Sequence, residues 1–276
     1  LKIQVIERLN QDRTRSHLRQ SGIEQAAASA FGYLDELRAV QYDWHSHPYH
    51  QLLYAFRGTA HVEVGNARYF LPPQRAAWIS AGTRHRTTLY QVECGSVFLH
   101  PRLVSWKVDP IRIIAAPPLL REMVKEAGRW QARDGARDAF RDSFFRTLVH
   151  LSREWFEQGM PFWLPRTDDS GLARAINYTL ENLSSANAEA AARAAAMSPR
   201  SFRRRFSQSL GLPWRDYLTK ARLLHSMELL GQARAGVAEV AALVGFESPS
   251  AFSKAFYQFT AERPSGYRAR VSHGLF

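Results

Sequence analysis

The chain has a single cysteine, Cys94, in 276 residues. One thiol excludes an internal disulfide, a cysteine-based zinc cluster and a dithiol relay, and such scarcity fits a reducing compartment. Also missing is any apolar run of about eighteen uncharged residues, the length that spans a bilayer. The first residues carry Lys2, Arg8, Arg13, Arg15 and Arg19 among polar neighbours, without the apolar core of a secretory leader. The expectation is a cytoplasmic protein with no membrane partner. No Gly-rich phosphate loop and no Gly-x-Ser-x-Gly elbow is present, so the sequence offers no signature of nucleotide or hydrolase chemistry.

Acidic residues are the scarcer charge: 25 Asp and Glu face 37 Lys and Arg, for a net charge of +12. The excess is uneven. From residue 170 onward there are 14 basic and 7 acidic residues, so the last part of the chain holds most of the surplus. A concentrated basic face suits a polyanionic partner. With 45% hydrophobic and 12% aromatic residues the chain can bury a core, and its length suits two domains.

Two patterns divide the sequence. Between residues 31 and 103 short β-type stretches (50–56, 60–64, 76–80 and 96–99) are separated by Gly58, Gly65, Pro72, Pro73, Gly82 and Gly95. Short strands at this spacing predict a small sandwich or barrel. From about residue 117 the period becomes helical, with Phe140, Phe144, Leu148, Leu151 and Trp155 forming one apolar stripe. Packing on the barrel and contact with a second copy of the chain explain that stripe equally well. Residues 161–170, with Pro161 and Pro165 near Gly159 and Gly171, read as a linker. The resulting expectation is a domain at 1–160, a linker, and an all-α domain at 171–276.

The all-α part repeats itself. At an offset of fifty, Ser198 matches Ser248, Pro199 matches Pro249, and Phe202, Phe206 and Tyr217 match Phe252, Phe256 and Tyr267. Ser at the N-cap followed by Pro at the first helical position is a strong helix start. The Phe pair at i and i+4 faces the core and leaves the opposite face of each helix free. An Ala-rich helix precedes each start, and Gly245 suits the turn of the second unit. Residues 213–230 read as one connecting helix with Trp214, Tyr217, Leu218, Ala221 and Leu224 on its apolar side.

This arrangement resembles the tandem helix-turn-helix domain of the AraC/XylS family of bacterial regulators, from about residue 170 to 270. The first unit departs at Ala191, where family members usually carry a larger aliphatic residue. The resemblance implies a sequence-specific transcription regulator rather than an enzyme, with double-stranded DNA as partner. RNA polymerase and a second copy are further partners in that reading. By position the DNA-contacting residues would be Arg200, Arg203 and Arg204 in the first unit and Ser250, Ser253 and Lys254 in the second. Arg can pair bidentately with guanine, and Ser can bond a base edge or a phosphate. Arg205 is expected to be structural or phosphate-facing.

Residues 44–58, with His45, His47 and Gln51, resemble the first cupin motif, and residues 79–85, ending in His85, resemble part of the second. The implied architecture is α+β in two domains: a cupin-like β-barrel with flanking helices, then the all-α domain. Metal-binding cupins supply three His and a Glu, which places His45, His47, Gln51 and His85 as ligands for a metal or effector. His45, His47 and Gln51 share parity and would lie on one face of an extended strand, whereas His50 has the opposite parity. Two departures stand out: Gln51 replaces the carboxylate, and Ser80 replaces a usual Pro. The histidines therefore either hold a divalent transition metal or line an organic effector pocket. A metal-dependent cupin oxygenase fused to a DNA-binding domain is the alternative function, weakened by Gln51. Imidazoles of ordinary basicity would lose a metal as pH falls through about 6.5.

Overall fold

The computed structural model describes residues 6–24, 26–107, 109–134, 138–157, 159–231 and 235–273, so Lys2 lies outside it. The chain forms two compact units, Leu1–Gly65 with Tyr69–Phe162, and Asn66–Arg68 with Trp163–Phe276.

The first unit opens with β1 (Glu7–Arg8) and α1 (Gln11–Gln20), the helix capped by the Asn10 side chain. Strands β2 (Ala30–Gln41), β3 (His50–Val64), β4 (Ala67–Leu71), β5 (Arg75–Ile79), β6 (His85–Leu99) and β7 (Ile111–Ala115) follow. They form a sheet ordered β1-β2-β6-β3-β4, with β5 pairing both β3 and β7. The stretches 50–56 and 60–64 are one strand rather than two. Its register against β6 shifts between Ala55 and Arg57 and again between Arg57 and Thr59. Gly58 sits in this irregularity at φ +69°, where an added Cβ would lie 2.2 Å from the Gln91 carbonyl oxygen. Its glycine marks a bulge inside a strand, not a break.

The alternation of these strands separates two environments. Leu52, Tyr54, Val97 and Leu99 point to one side, where they pack with Trp78 against α2 (Pro118–Ala127) and α3 (Ala139–Phe156). Gln51, Leu53, Ser96 and Phe98 point to the other, where they line a cavity. The α3 stripe is turned from its expected position. Phe145, Leu148, Val149, Ser152 and Phe156 are buried, Phe144, Leu151 and Trp155 pack at the margin, and Phe140 is 63% exposed. Phe145 and Val149 lie beside the predicted stripe, so burial is centred one residue further round the helix.

The second unit starts inside the segment expected as linker, with a short strand β8 (Trp163–Pro165). Arg166 N donates to Asn66 O at 2.7 Å, and Lys220 Nζ stands 4.4 Å from the centre of the Trp163 ring. Helices α4 (Ser170–Glu181), α5 (Ala188–Ala194), α6 (Pro199–Leu210), α7 (Trp214–Gly231), α8 (Val237–Leu243), α9 (Pro249–Thr260) and α10 (Pro264–His273) complete it. Among the described residues no helix is long and apolar enough to cross a membrane.

The two helix-turn-helix units superpose in their hydrogen bonds at an offset of 49 up to the turn. Met197 N donates to Ala192 O, and Phe246 N donates to Ala241 O. Ala191 therefore occupies the place of Val240, and both are fully buried. After the turn the offset becomes fifty, so the second turn is one residue longer. At its left-handed position the second unit has Gly245, φ +88°, where a Cβ would come within 2.7 Å of the Ser184 backbone. The first unit places Ala196 there at φ +57°. A left-handed L-residue costs roughly 1–2 kcal/mol, and glycine returns part of that gain in unfolded-chain entropy. Ala196→Gly should therefore stabilise the second domain by about 0.5–1 kcal/mol. The check is the urea midpoint of the domain; an unchanged or lower midpoint would mean that the turn carries no such strain.

Candidate functional site

Each recognition helix is fixed by the same inner contacts. Ser198 Oγ accepts from Ser201 N at 3.3 Å, and Ser248 Oγ accepts from Ala251 N at 3.2 Å. Proline follows each cap and withdraws a backbone donor that would otherwise be unsatisfied. Behind the helices, Phe202 and Phe206 are buried with Tyr217, and Phe256 meets Tyr267 at the same 5.5 Å that separates Phe206 from Tyr217. Burying these aromatic pairs leaves the far side of α6 and α9 outward.

Arg200, Arg203 and Arg204 are exposed, as are Ser250 and Lys254, while Ser253 is half-buried at the edge of the stripe. Arg203 is 4.0 Å from Glu189, a distance that leaves it available in solvent. Arg205 instead donates to Asp169 Oδ2 at 2.5 Å, while the other oxygen of Asp169 caps α4 through Gly171 N and Leu172 N. Its role in these contacts is structural. Tyr257, one turn beyond Lys254, is 55% exposed on the same outward face. Tyr257 continues the i, i+4, i+7 line of Ser250 and Lys254, a spacing from which it could have been found.

In the first unit, His45, His47, Gln51 and His85 come together. The route differs from the strand parity expected: β3 begins only at His50, and His45 reaches His85 through an isolated antiparallel bridge. Ring centres are 4.3 Å apart for His45 and His85, 5.2 Å for His47 and His85, and 6.4 Å for His45 and His47. His50 points away, stacking on Trp78 and accepting from Ala81 N.

All three clustered rings are held the same way. His45 Nδ1 lies 2.7 Å from Asp43 O, His47 Nδ1 2.8 Å from Tyr49 O, and His85 Nδ1 2.9 Å from Thr83 O. A carbonyl only accepts, so each Nδ1 carries the proton and each Nε2 keeps a lone pair. The Nε2 atom of His85 is buried without a hydrogen-bond partner. His47 Nε2 faces Gln51 Oε1 at 3.2 Å, an approach of two acceptors, while Gln51 Nε2 donates to Ser96 Oγ at 2.8 Å. Reversing the Gln51 amide relieves that contact by turning it into a donor, and so would a cation between the two atoms.

Burial lowers the basicity of the cluster. It brings His47 down to about 4, and it takes His85 well below 6.5 with help from the neighbouring imidazoles. Burial also lowers His45, against the pull of Asp43. The rings thus stay neutral below the pH of about 6.5 expected for exposed imidazoles, His47 and His85 well below it.

Anchored Nδ1 atoms and free Nε2 lone pairs fit a divalent transition metal by chemistry. By position the fit is incomplete: among the described residues no three His, Cys, Asp or Glu side chains are placed to hold an ion. The cavity beside them measures about 70 Å³ and is also bordered by His17, Tyr33, Asp35 and Tyr42. Since one water needs roughly 10–15 Å³, it holds a few water-sized groups. Tyr33 Oη donates to Asp35 Oδ2 at 3.1 Å, and Tyr42 Oη lies 3.1 Å from His17 Nε2.

Two family models match the chain, in order. An AraC-like ligand binding domain covers residues 29–95, and a helix-turn-helix domain covers residues 191–270. The transcriptional activator RhaR of Pectobacterium atrosepticum is 42% identical over 73 residues, a stretch spanning 26% of this chain and 26% of that protein. The transcriptional regulator NimR of Escherichia coli is 24% identical over 234 residues, 83% of this chain and 82% of its own length. Among solved structures, ToxT of Vibrio cholerae matches with 12% identity and a TM-score of 0.38, over 88% of this chain and 97% of that one. The ligand-binding model thus falls on the cupin-like sheet and the helix-turn-helix model on the repeated helices.

Proposed function

We propose that this chain is a cytoplasmic, sequence-specific DNA-binding regulator of transcription, controlled by an effector bound in its cupin-like domain. The observation that carries the reading is the pair of recognition helices, each capped and buried alike and each presenting polar side chains outward. Arg200, Arg203 and Arg204 supply the first reader, and Ser250, Ser253 and Lys254 the second. The first contributes more base discrimination, because guanidinium groups can pair bidentately with guanine. RNA polymerase and a second copy of the chain are the protein partners of this reading, the exposed Phe140 of α3 being available to the latter. The oxygenase alternative gains nothing from the site: Gln51 stands where the carboxylate of a facial triad is needed. The matched relatives are named as regulators, not enzymes.

The effector site is the His45, His47, Gln51 and His85 cluster, whose lone pairs call for either a divalent transition metal or an organic effector that donates hydrogen bonds. Because burial lowers the basicity of all three rings, binding would persist to lower pH than exposed imidazoles allow.

Two experiments test these assignments. On duplexes selected from a random library by the wild-type chain, Arg204→Ala should weaken binding by about 1–3 kcal/mol and relax the base preference under the first unit. An equal loss on selected and random DNA would remove Arg204 from the readers. In titrations of chelator-treated protein with zinc or nickel, Gln51→Glu should bind more tightly than wild type, and His47→Ala should not bind. No metal uptake by wild type or Gln51→Glu would leave the histidines as the wall of an organic effector pocket.

A further inference from the structure

A groove opens between the two helix-turn-helix units on the side of their recognition helices. One wall carries Arg203 and Ser207 of α6, one turn apart on the flank of the Arg200–Arg204 stripe. The opposite wall carries Ala251, which follows Ser250 in the first turn of α9. The floor is α7, with Arg215 and Arg222 facing upward.

The charges in this groove are lopsided. Three guanidinium groups, those of Arg203, Arg215 and Arg222, face one carboxylate, Glu247. Arg215 is exposed and makes no side-chain hydrogen bond or ion pair among the described residues. Arg222 is prepared differently. Its Nε donates to Leu183 O at 2.9 Å, which fixes the plane of the guanidinium. Its Nη2 lies on the groove side near Gly245, where a Cβ would come within 2.8 Å of it. A guanidinium held by its inner edge loses little freedom when its outer edge takes up an anion.

Resting on the DNA-binding reading, we propose that this groove grips the sugar–phosphate backbone between the two read segments, with Arg215 and Arg222 as positioning residues on its phosphates. The geometry leaves little choice of occupant. Two recognition helices in successive major grooves on one face of B-DNA are separated by the intervening minor groove and its two backbones. That ridge carries about one negative charge per 1.7 Å of helix axis. It must lie against whatever joins the units, and here that surface is cationic. Contacts of this kind fix register and orientation without reading sequence.

The test uses the full chain, a duplex selected from a random library and a random duplex of equal length, with affinities measured between 50 and 200 mM salt. Arg215→Gln should lower the slope of log K against log salt by about one and weaken binding about tenfold near 0.1 M salt, equally on both duplexes. Arg215→Lys should keep the slope of the wild type. Neutral methylphosphonates placed between the two protected segments should weaken the wild type more than Arg215→Gln, which retains only the Arg222 contact. An unchanged slope, a change in base preference, or equal sensitivity of both proteins to methylphosphonate would overturn the proposal. Loss of preference for the selected duplex in the wild type would instead sink the reader assignment, and the random duplex would still report on the groove.

Discussion

The buried aromatic trio in each helix-turn-helix unit is the contact on which the rest of the second domain depends. Phe202 and Phe206 with Tyr217, and Phe252 and Phe256 with Tyr267, lock one face of each recognition helix inward. Once that face is committed, helical geometry leaves Arg200 and Arg204, or Ser250 and Lys254, no direction but outward. Tyr217 belongs to α7, so the residue that anchors the first reader also belongs to the helix joining the units. Reader orientation and reader spacing are thereby set by the same buried groups.

The sensing domain works from a different constraint. Its histidines are held by backbone carbonyls, which decide where each proton sits before any ligand arrives. That arrangement produces a small cavity wall rich in acceptors, with the buried Nε2 of His85 lacking a complementary donor. Unsatisfied buried acceptors are costly, so a cation or a donor-rich effector would relieve them on binding.

Much of the second domain was legible because its signals are local. A Ser-Pro helix start, a Phe pair one turn apart and a turn glycine each act within a few residues, and their repetition made the duplication plain. The extra residue in the second turn was less visible, since matching by side chain aligned the recognition helices while the turn hydrogen bonds align one position earlier. In the first domain the four site residues were grouped correctly, but through strand parity that His45 and His47 do not obey. What gathers them is the bridge from His45 to His85, forty residues apart, and no periodicity records such a pairing. Gly58 was read as a strand end because glycine usually breaks a pattern, although here it permits a bulge. Trp163–Pro165 was read as linker because its prolines hid a short strand. The α3 stripe was displaced because Phe140 is as apolar as Phe145, and only the surrounding sheet decides which is covered.

The central claim is that two rigidly joined readers engage one face of the double helix. Footprinting of the full chain on a selected duplex, before and after insertion of five base pairs between the two protected segments, tests it directly. Readers in successive major grooves should protect two segments about 10–10.5 base pairs apart, and half a turn of added DNA should abolish protection of one of them. Undiminished protection of both segments after the insertion would contradict the account.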